Sequence, residues 1–253
     1  RRRDGTFYFK GAGRQARYGL VQLTLDGNIS LPRIDLAMAA PVPALGLSSV
    51  MARLTPTAQG FAYSAEGGSR LGPWTSSGAI ILPPGKPAMI AIAAIEVSGA
   101  RGSGSLRSDP SGFTGRLDLA GGTIDGPMVF STDRGFQKIE AHLRAQRASF
   151  AGPTPFAVNR GRIDGTVLLD PAATRINARV RVIGGVLNGI TLARGRAEIS
   201  LNGNSGTITA DLAGSRGRGF DLTTVARFDG DNVTINAEGA IDRRPIRLMT
   251  PAN

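Results

Sequence analysis

Chemistry near neutral pH needs an imidazole, a thiolate or carboxylates held close together, and this chain offers few of them. His142 is the only histidine, with Glu140 and Arg144 as its neighbours two positions away. A lone imidazole works as a general base only beside a nucleophile. The chain has no cysteine and no Gly-x-Ser-x-Gly elbow, so His142 reads as part of a solvated face. Asp164 with Asp170, and Asp118 with Asp125, are the carboxylate pairs that could divide acid and base roles, but their spacing is that of polar-face and turn residues. Gly11-Ala-Gly-Arg-Gln-Ala fits the G-x-G-x-x-A form of a dinucleotide fingerprint, which works only where a helix N-terminus then meets the pyrophosphate. Arg17-Tyr18-Gly19-Leu20-Val21 begins another strand instead, so the motif is expected to be a turn. Asp229-Gly-Asp231-Asn232 is too short a run of oxygen ligands for a calcium loop and reads as a hairpin turn. Without cysteine there is no disulfide, no thiolate nucleophile and no zinc-thiolate site. The expectation is a protein that is not an enzyme, with no catalytic residues, no metal site and no cofactor.

The elements that would position any site are strands. From Arg160 to Leu248 apolar and polar residues alternate almost without interruption. Side chains point to opposite faces of a strand in turn, so this period gives a sheet with one aliphatic and one charged face. The apolar set is Ile163, Val167 and Leu169, then Ile176, Val180 and Val182, Ile199 and Leu201, Ile208 and Leu212, Phe220, Leu222 and Phe228, and Val233 and Ile235. Earlier strands are expected at 5–10, 18–25, 28–38, 50–54 and 60–64, with turn-rich interruptions at 67–74 and 82–85. Pro87 to Gly99 reads as a strand whose apolar phase slips between Ile92 and Ile95, as a bulge produces. Gly-Ser punctuation from Gly99 to Ser105 precedes strands at 112–120 and 122–131. Gly135 to Phe150 fits helical spacing (Phe136, Ile139, Leu143) and strand spacing (Ile139, Ala141, Leu143, Ala145), and its all-strand surroundings favour a strand. Ala151 to Pro155 is the best boundary, separating an irregular part, 1–152, from a regular meander, 153–253, within one structural unit.

Of 253 residues, 41% are hydrophobic and only 6% aromatic, so the apolar face is aliphatic and smooth. The net charge of +11 comes from arginine, since lysine occurs only at Lys10, Lys86 and Lys138. Such a balance favours anionic partners. Arg175, Arg179 and Arg181 project from one face, yet the Phe residues sit on the opposite one, and stacking platforms for bases need the two interleaved. Nucleic acid is therefore not the expected partner. The most apolar window, Ala88 to Val97, contains Glu96 and is half the ~20 residues that a membrane helix needs. The chain begins at Arg1 and reads as a piece or mature segment of something larger.

Gly161-Arg-Ile-Asp-Gly-Thr-Val-Leu-Leu-Asp, the run from Gly184 to Gly203, and Gly239-Ala-Ile-Asp-Arg-Arg-Pro-Ile-Arg-Leu resemble the AsmA-like proteins of diderm bacteria, especially the TamB and YdbH branches. The likeness is one of texture over Gly112 to Leu248, without an invariant motif. It implies an all-β fold: a long, mainly antiparallel sheet curled lengthwise into an open groove, or β-taco, in a periplasmic protein anchored in the inner membrane. It implies phospholipid acyl chains as cargo, carried toward the outer membrane, and links some members to an outer-membrane barrel partner in protein assembly. On the residues alone, an open trough leaves a contiguous apolar patch that marks a binding site, with the fifteen residues above lining it. A sandwich with the same face closed as its core is the alternative fold, and a scaffold that pairs a sheet edge with a barrel strand is the alternative function.

Overall fold

The computed structural model describes residues 6–15, 19–28, 32–41, 46–69, 71–150 and 155–250. They form eighteen strands and, among the described residues, no helix: β1 (Phe7–Gln15), β2 (Gly19–Gly27), β3 (Pro32–Met38), β4 (Ser48–Thr57), β5 (Gly60–Ser69), β6 (Gly72–Ile81), β7 (Met89–Val97), β8 (Ala100–Asp109), β9 (Gly112–Leu119), β10 (Ile124–Asp133), β11 (Phe136–Phe150), β12 (Phe156–Leu169), β13 (Arg175–Leu187), β14 (Ile190–Asn202), β15 (Ser205–Arg216), β16 (Arg218–Asp229), β17 (Asn232–Ile241) and β18 (Arg244–Met249). Each pairs antiparallel with the next, so the chain is one long meander. Among the described residues β1 pairs only with β2 and β18 only with β17, so the sheet is open and does not close into a barrel. The ladder runs unbroken from β11 into β12, across the boundary expected after residue 152.

Short turns make the meander possible. Ser98-Gly99, Arg134-Gly135, Asn188-Gly189 and Asp242-Arg243 are two-residue loops with positive φ at both positions, as type I′ hairpins require to match strand twist. Asp229-Gly-Asp231-Asn232 is the expected hairpin, with positive φ at Gly230. Inside strands, glycine is needed where neighbouring backbones crowd. At Gly239, with φ +149°, an added Cβ would stand 2.0 Å from the carbonyl oxygen of Asp221.

Three expectations are corrected. Gly11 to Gln15 is not a turn but the second half of β1, paired residue by residue with Gly19 to Leu23. Gly67 to Trp74 is not an interruption: β5 runs to Ser69 and β6 starts at Gly72, with Trp74 Nε1 donating to the carbonyl of Gly68. The Gly-Ser run after Gly99 is β8, where small residues are required because a Cβ at Gly104 would lie 2.1 Å from the carbonyl oxygen of Arg116. Glycine here marks close strand approach, which local propensity reads as a break. The segment 135–150 is a strand, and the register shift between Ile92 and Ile95 is present.

The strands β11 to β14 are 13 to 15 residues long, against 7 to 10 for β1 to β10. Their extra length lies beyond a crease in which the inward phase slips by one residue on each strand. On β11 the inward residues are Ile139, Ala141, Leu143 and Ala145, then Ala148 and Phe150. On β12 they are Phe156 and Val158, then Gly161 and Val167. The residues at the slip are Arg147, Asn159, Gly184 and Ala193, which the registers place in one transverse row, and Arg147 and Gly184 have positive φ. Such irregularities bend and twist a sheet locally. Beyond the crease Ala148, Phe150, Phe156 and Val158 join Ala100, Leu117, Leu119 and Ile124 in the main buried cluster, with the Phe150 and Phe156 rings stacked at 4.2 Å. Ala148 and Phe150 are 1% and 8% exposed within that cluster.

Candidate apolar binding face

The registers place all fifteen expected residues on the same face. Val167, Ile176 and Leu201 are directly paired, and the row continues through Gly206 to Phe228 and Val233. Ile163 pairs with Val180, and Val182 leads through Gly195 to Leu212 and Leu222. Ile199, Ile208, Ala226 and Ile235 form another row, Phe220 lies opposite Gly214, and Leu169 ends β12 opposite Gln137. None of the fifteen belongs to the buried core. Ile163, Val233 and Ile235 are 41%, 46% and 42% exposed and the others half-buried, as expected of a face with nothing packed on it.

The sequence reading named lining residues only from Ile163 to Ile235, within a groove expected to include 1–152, and the registers carry the apolar face through almost the whole sheet. Starting at Phe9, direct partners are Leu25, Ile34, Leu54, Tyr63, Gly78, Ile92, Gly104, Leu117 and Met128. From Met128 the row continues through Ala141, Gly165, Ala178, Ile199, Ile208 and Ala226 to Ile235. Every position from β1 to β17 is apolar, glycine or alanine except Tyr63, whose hydroxyl is held by Ser76 Oγ at 3.0 Å and whose pKa is pushed up by burial. At about 4.8 Å per strand the row measures roughly 75 Å along the sheet. Its signal in the sequence was the series of Ile and Leu residues in the first half.

The opposite face carries the charges, mostly in local pairs. Asp164 accepts from Arg162 Nε at 2.7 Å and lies 3.0 Å from His142 Nδ1, and the Arg162 bond first, then His142, lowers its pKa to about 2. Arg116 donates to Asp118 at 2.8 Å and holds that carboxyl below its ordinary value. Asp170 faces Arg175 at 3.9 Å. Three of the four carboxylates considered for acid and base work, Asp164, Asp118 and Asp170, are thus engaged by arginines, and among the described residues no three His, Asp or Glu gather as metal ligands would. A recess of about 680 Å³ on this face of β1 to β7 is lined by Lys10, Gln22, Asp35, Arg53 and Glu66 together with apolar residues such as Met51. Among the described residues no helix is long and apolar enough to cross a membrane. Comparison with protein-family models, curated proteins and solved structures finds no match to this chain.

Proposed function

We propose that the chain is a segment of a β-groove that holds lipid acyl chains against its aliphatic face, in a periplasmic bridge that conducts phospholipid between membranes. The observation that carries this reading is the row from Phe9 to Ile235, apolar except for Tyr63 over seventeen strands of an open sheet and only half-buried over most of its length. A soluble surface rarely leaves so long an apolar strip uncovered unless something binds there. Each methylene withdrawn from water contributes ~0.8 kcal/mol, so a tail lying along Ile199, Ile208 and their neighbours is held by area alone. Evenly spread, undirected contact of that kind suits cargo that slides, whereas discrete polar sites would arrest it. The AsmA-like texture of Gly112 to Leu248 agrees with this reading.

The test is to purify the chain from a diderm bacterial envelope, extract it with organic solvent and identify bound lipid by mass spectrometry. Near-stoichiometric phospholipid is the expected result. Lipid-free, folded protein that also fails to take up a fluorescent fatty acid would overturn the proposal.

A further inference from the structure

The back of the same strands presents a second surface. On β11 to β14, Arg144, Arg162, Arg181 and Arg196 are direct cross-strand partners, a row of four successive arginines flanked in register by Asp125 on β10 and Asp211 on β15. Arg160 and Arg194 lie in the adjoining row on one side and Arg179 in that on the other. All seven are exposed. Like charges directly opposite each other on a sheet repel. Relief is partial: Asp164 engages Arg162 at 2.7 Å, Asp221 engages Arg194 at 2.7 Å and Glu198 lies 3.4 Å from Arg179. Arg144, Arg160, Arg181 and Arg196 form no ion pair among the described residues. The array cannot relax by slipping, because a shift of one residue would turn the arginines onto the aliphatic face.

Its dimensions and neighbours indicate the partner. Strands about 4.8 Å apart and alternate residues roughly 7 Å apart make a patch about 15 Å by 14 Å, broad in both directions rather than a line or a single anion pocket. Guanidinium groups bind phosphate in bidentate fashion. The outward-facing residues here include no Phe, Tyr or Trp, which a nucleic-acid surface would use to stack bases. They do include Ile183, paired between Arg160 and Arg194 and 51% exposed, with Val186 beyond it at 50%. A basic array edged by exposed aliphatic side chains suits the headgroup layer of an anionic bilayer, with phosphates on the arginines and the aliphatics at the acyl boundary.

We propose that the outer face of β11 to β14 docks on an anionic lipid headgroup layer, separately from whatever occupies the groove. The test is flotation of the whole chain with vesicles of phosphatidylcholine alone and of phosphatidylcholine with 30 mol% phosphatidylglycerol (roughly the charge density of an anionic leaflet). Binding should require the anionic lipid and weaken with salt. Arg181→Glu with Arg196→Glu should weaken it at least tenfold. Arg216→Glu with Arg227→Glu, equal in charge change but off the array, should stay within threefold. Arg181→Gln with Arg196→Gln serves should the charge-reversed protein not fold. Equal binding to neutral vesicles, equal loss in the off-array variant, or tighter binding of a single-stranded oligonucleotide at the same phosphate concentration would each overturn the proposal. Lipid co-purifying in the groove should survive Arg181→Glu with Arg196→Glu, which separates failure here from failure of the groove reading.

Discussion

Replacing Ile208 by aspartate separates a lipid-holding face from an ordinary core. Ile208 stands mid-row between Ile199 and Ala226, half-buried, on a face with no second layer above it. If that face meets water when empty, an aspartate there stays hydrated. The fold then loses only part of one isoleucine's burial and some strand preference, about 1–2 kcal/mol. Bound lipid suffers more, because an ionised carboxylate cannot be covered by hydrocarbon and the tail must lift away. Losing contact over roughly three methylenes at ~0.8 kcal/mol each gives ~2.4 kcal/mol, or about fiftyfold in affinity. A closed core inverts the ranking: burying the carboxylate would cost upwards of 4 kcal/mol and unfold the protein. Urea denaturation and displacement of a fluorescent fatty acid measure the two quantities on one sample, with Thr209→Asp on the polar face as control. A folded Ile208→Asp protein that binds within threefold of the parent refutes the reasoning.

Two further outcomes follow from where burial is and is not complete. Phe150→Ala removes a ring only 8% exposed that stacks on Phe156, and should cost about 3–5 kcal/mol in denaturant unfolding; Ile163→Ala, at a site 41% exposed, should cost about 1 kcal/mol. Equal costs would mean that the face around Ile163 is covered after all. Asp164, with its pKa lowered from 3.8 to about 2, adds stability that is complete above the unfolded value and lost as pH falls through the folded one. The stability difference between the parent and Asp164→Asn should therefore shrink between pH 5 and pH 2, and a flat difference in urea midpoints would contradict the Arg162 and His142 contacts.

The strands of the second half were legible because the period of two is strict there: from Ile176 to Val182, and from Ile199 to Leu212, each expected inward residue does face inward. What escaped was anything that depends on neighbouring strands. Gly104 and Gly67 looked like breakers because propensity cannot register a carbonyl from the next strand at Cβ distance. The crease escaped for a related reason. Arg147 and Gly184 each look like a single slip in one strand, and only the shared register shows that they fall in one transverse row with Asn159 and Ala193. The arginine array was seen only as Arg175, Arg179 and Arg181 along β13, whereas its strongest feature, the row from Arg144 to Arg196, runs across strands 52 residues apart in sequence.

The sizes of the residues along the apolar row make one last physical point. Gly78, Gly104, Ala141, Gly165, Ala178 and Ala226 interrupt the larger side chains. In a sealed core such gaps are filled by interdigitation from a facing layer, since voids forfeit dispersion contacts. Over β12 to β17 no facing layer buries the row, and its small positions deepen the surface between ridges formed by Ile199, Ile208 and Ile235. A flexible hydrocarbon chain can settle into an irregular floor of this kind and step along it, because each contact is weak and neighbouring contacts are alike. Along β9 to β12, where Leu117, Leu119 and Phe150 are buried in the main cluster, the same floor is closed. On the proposed reading the covered stretch supplies stability and the open stretch the lipid-holding surface, so substitutions in the two should separate unfolding from binding.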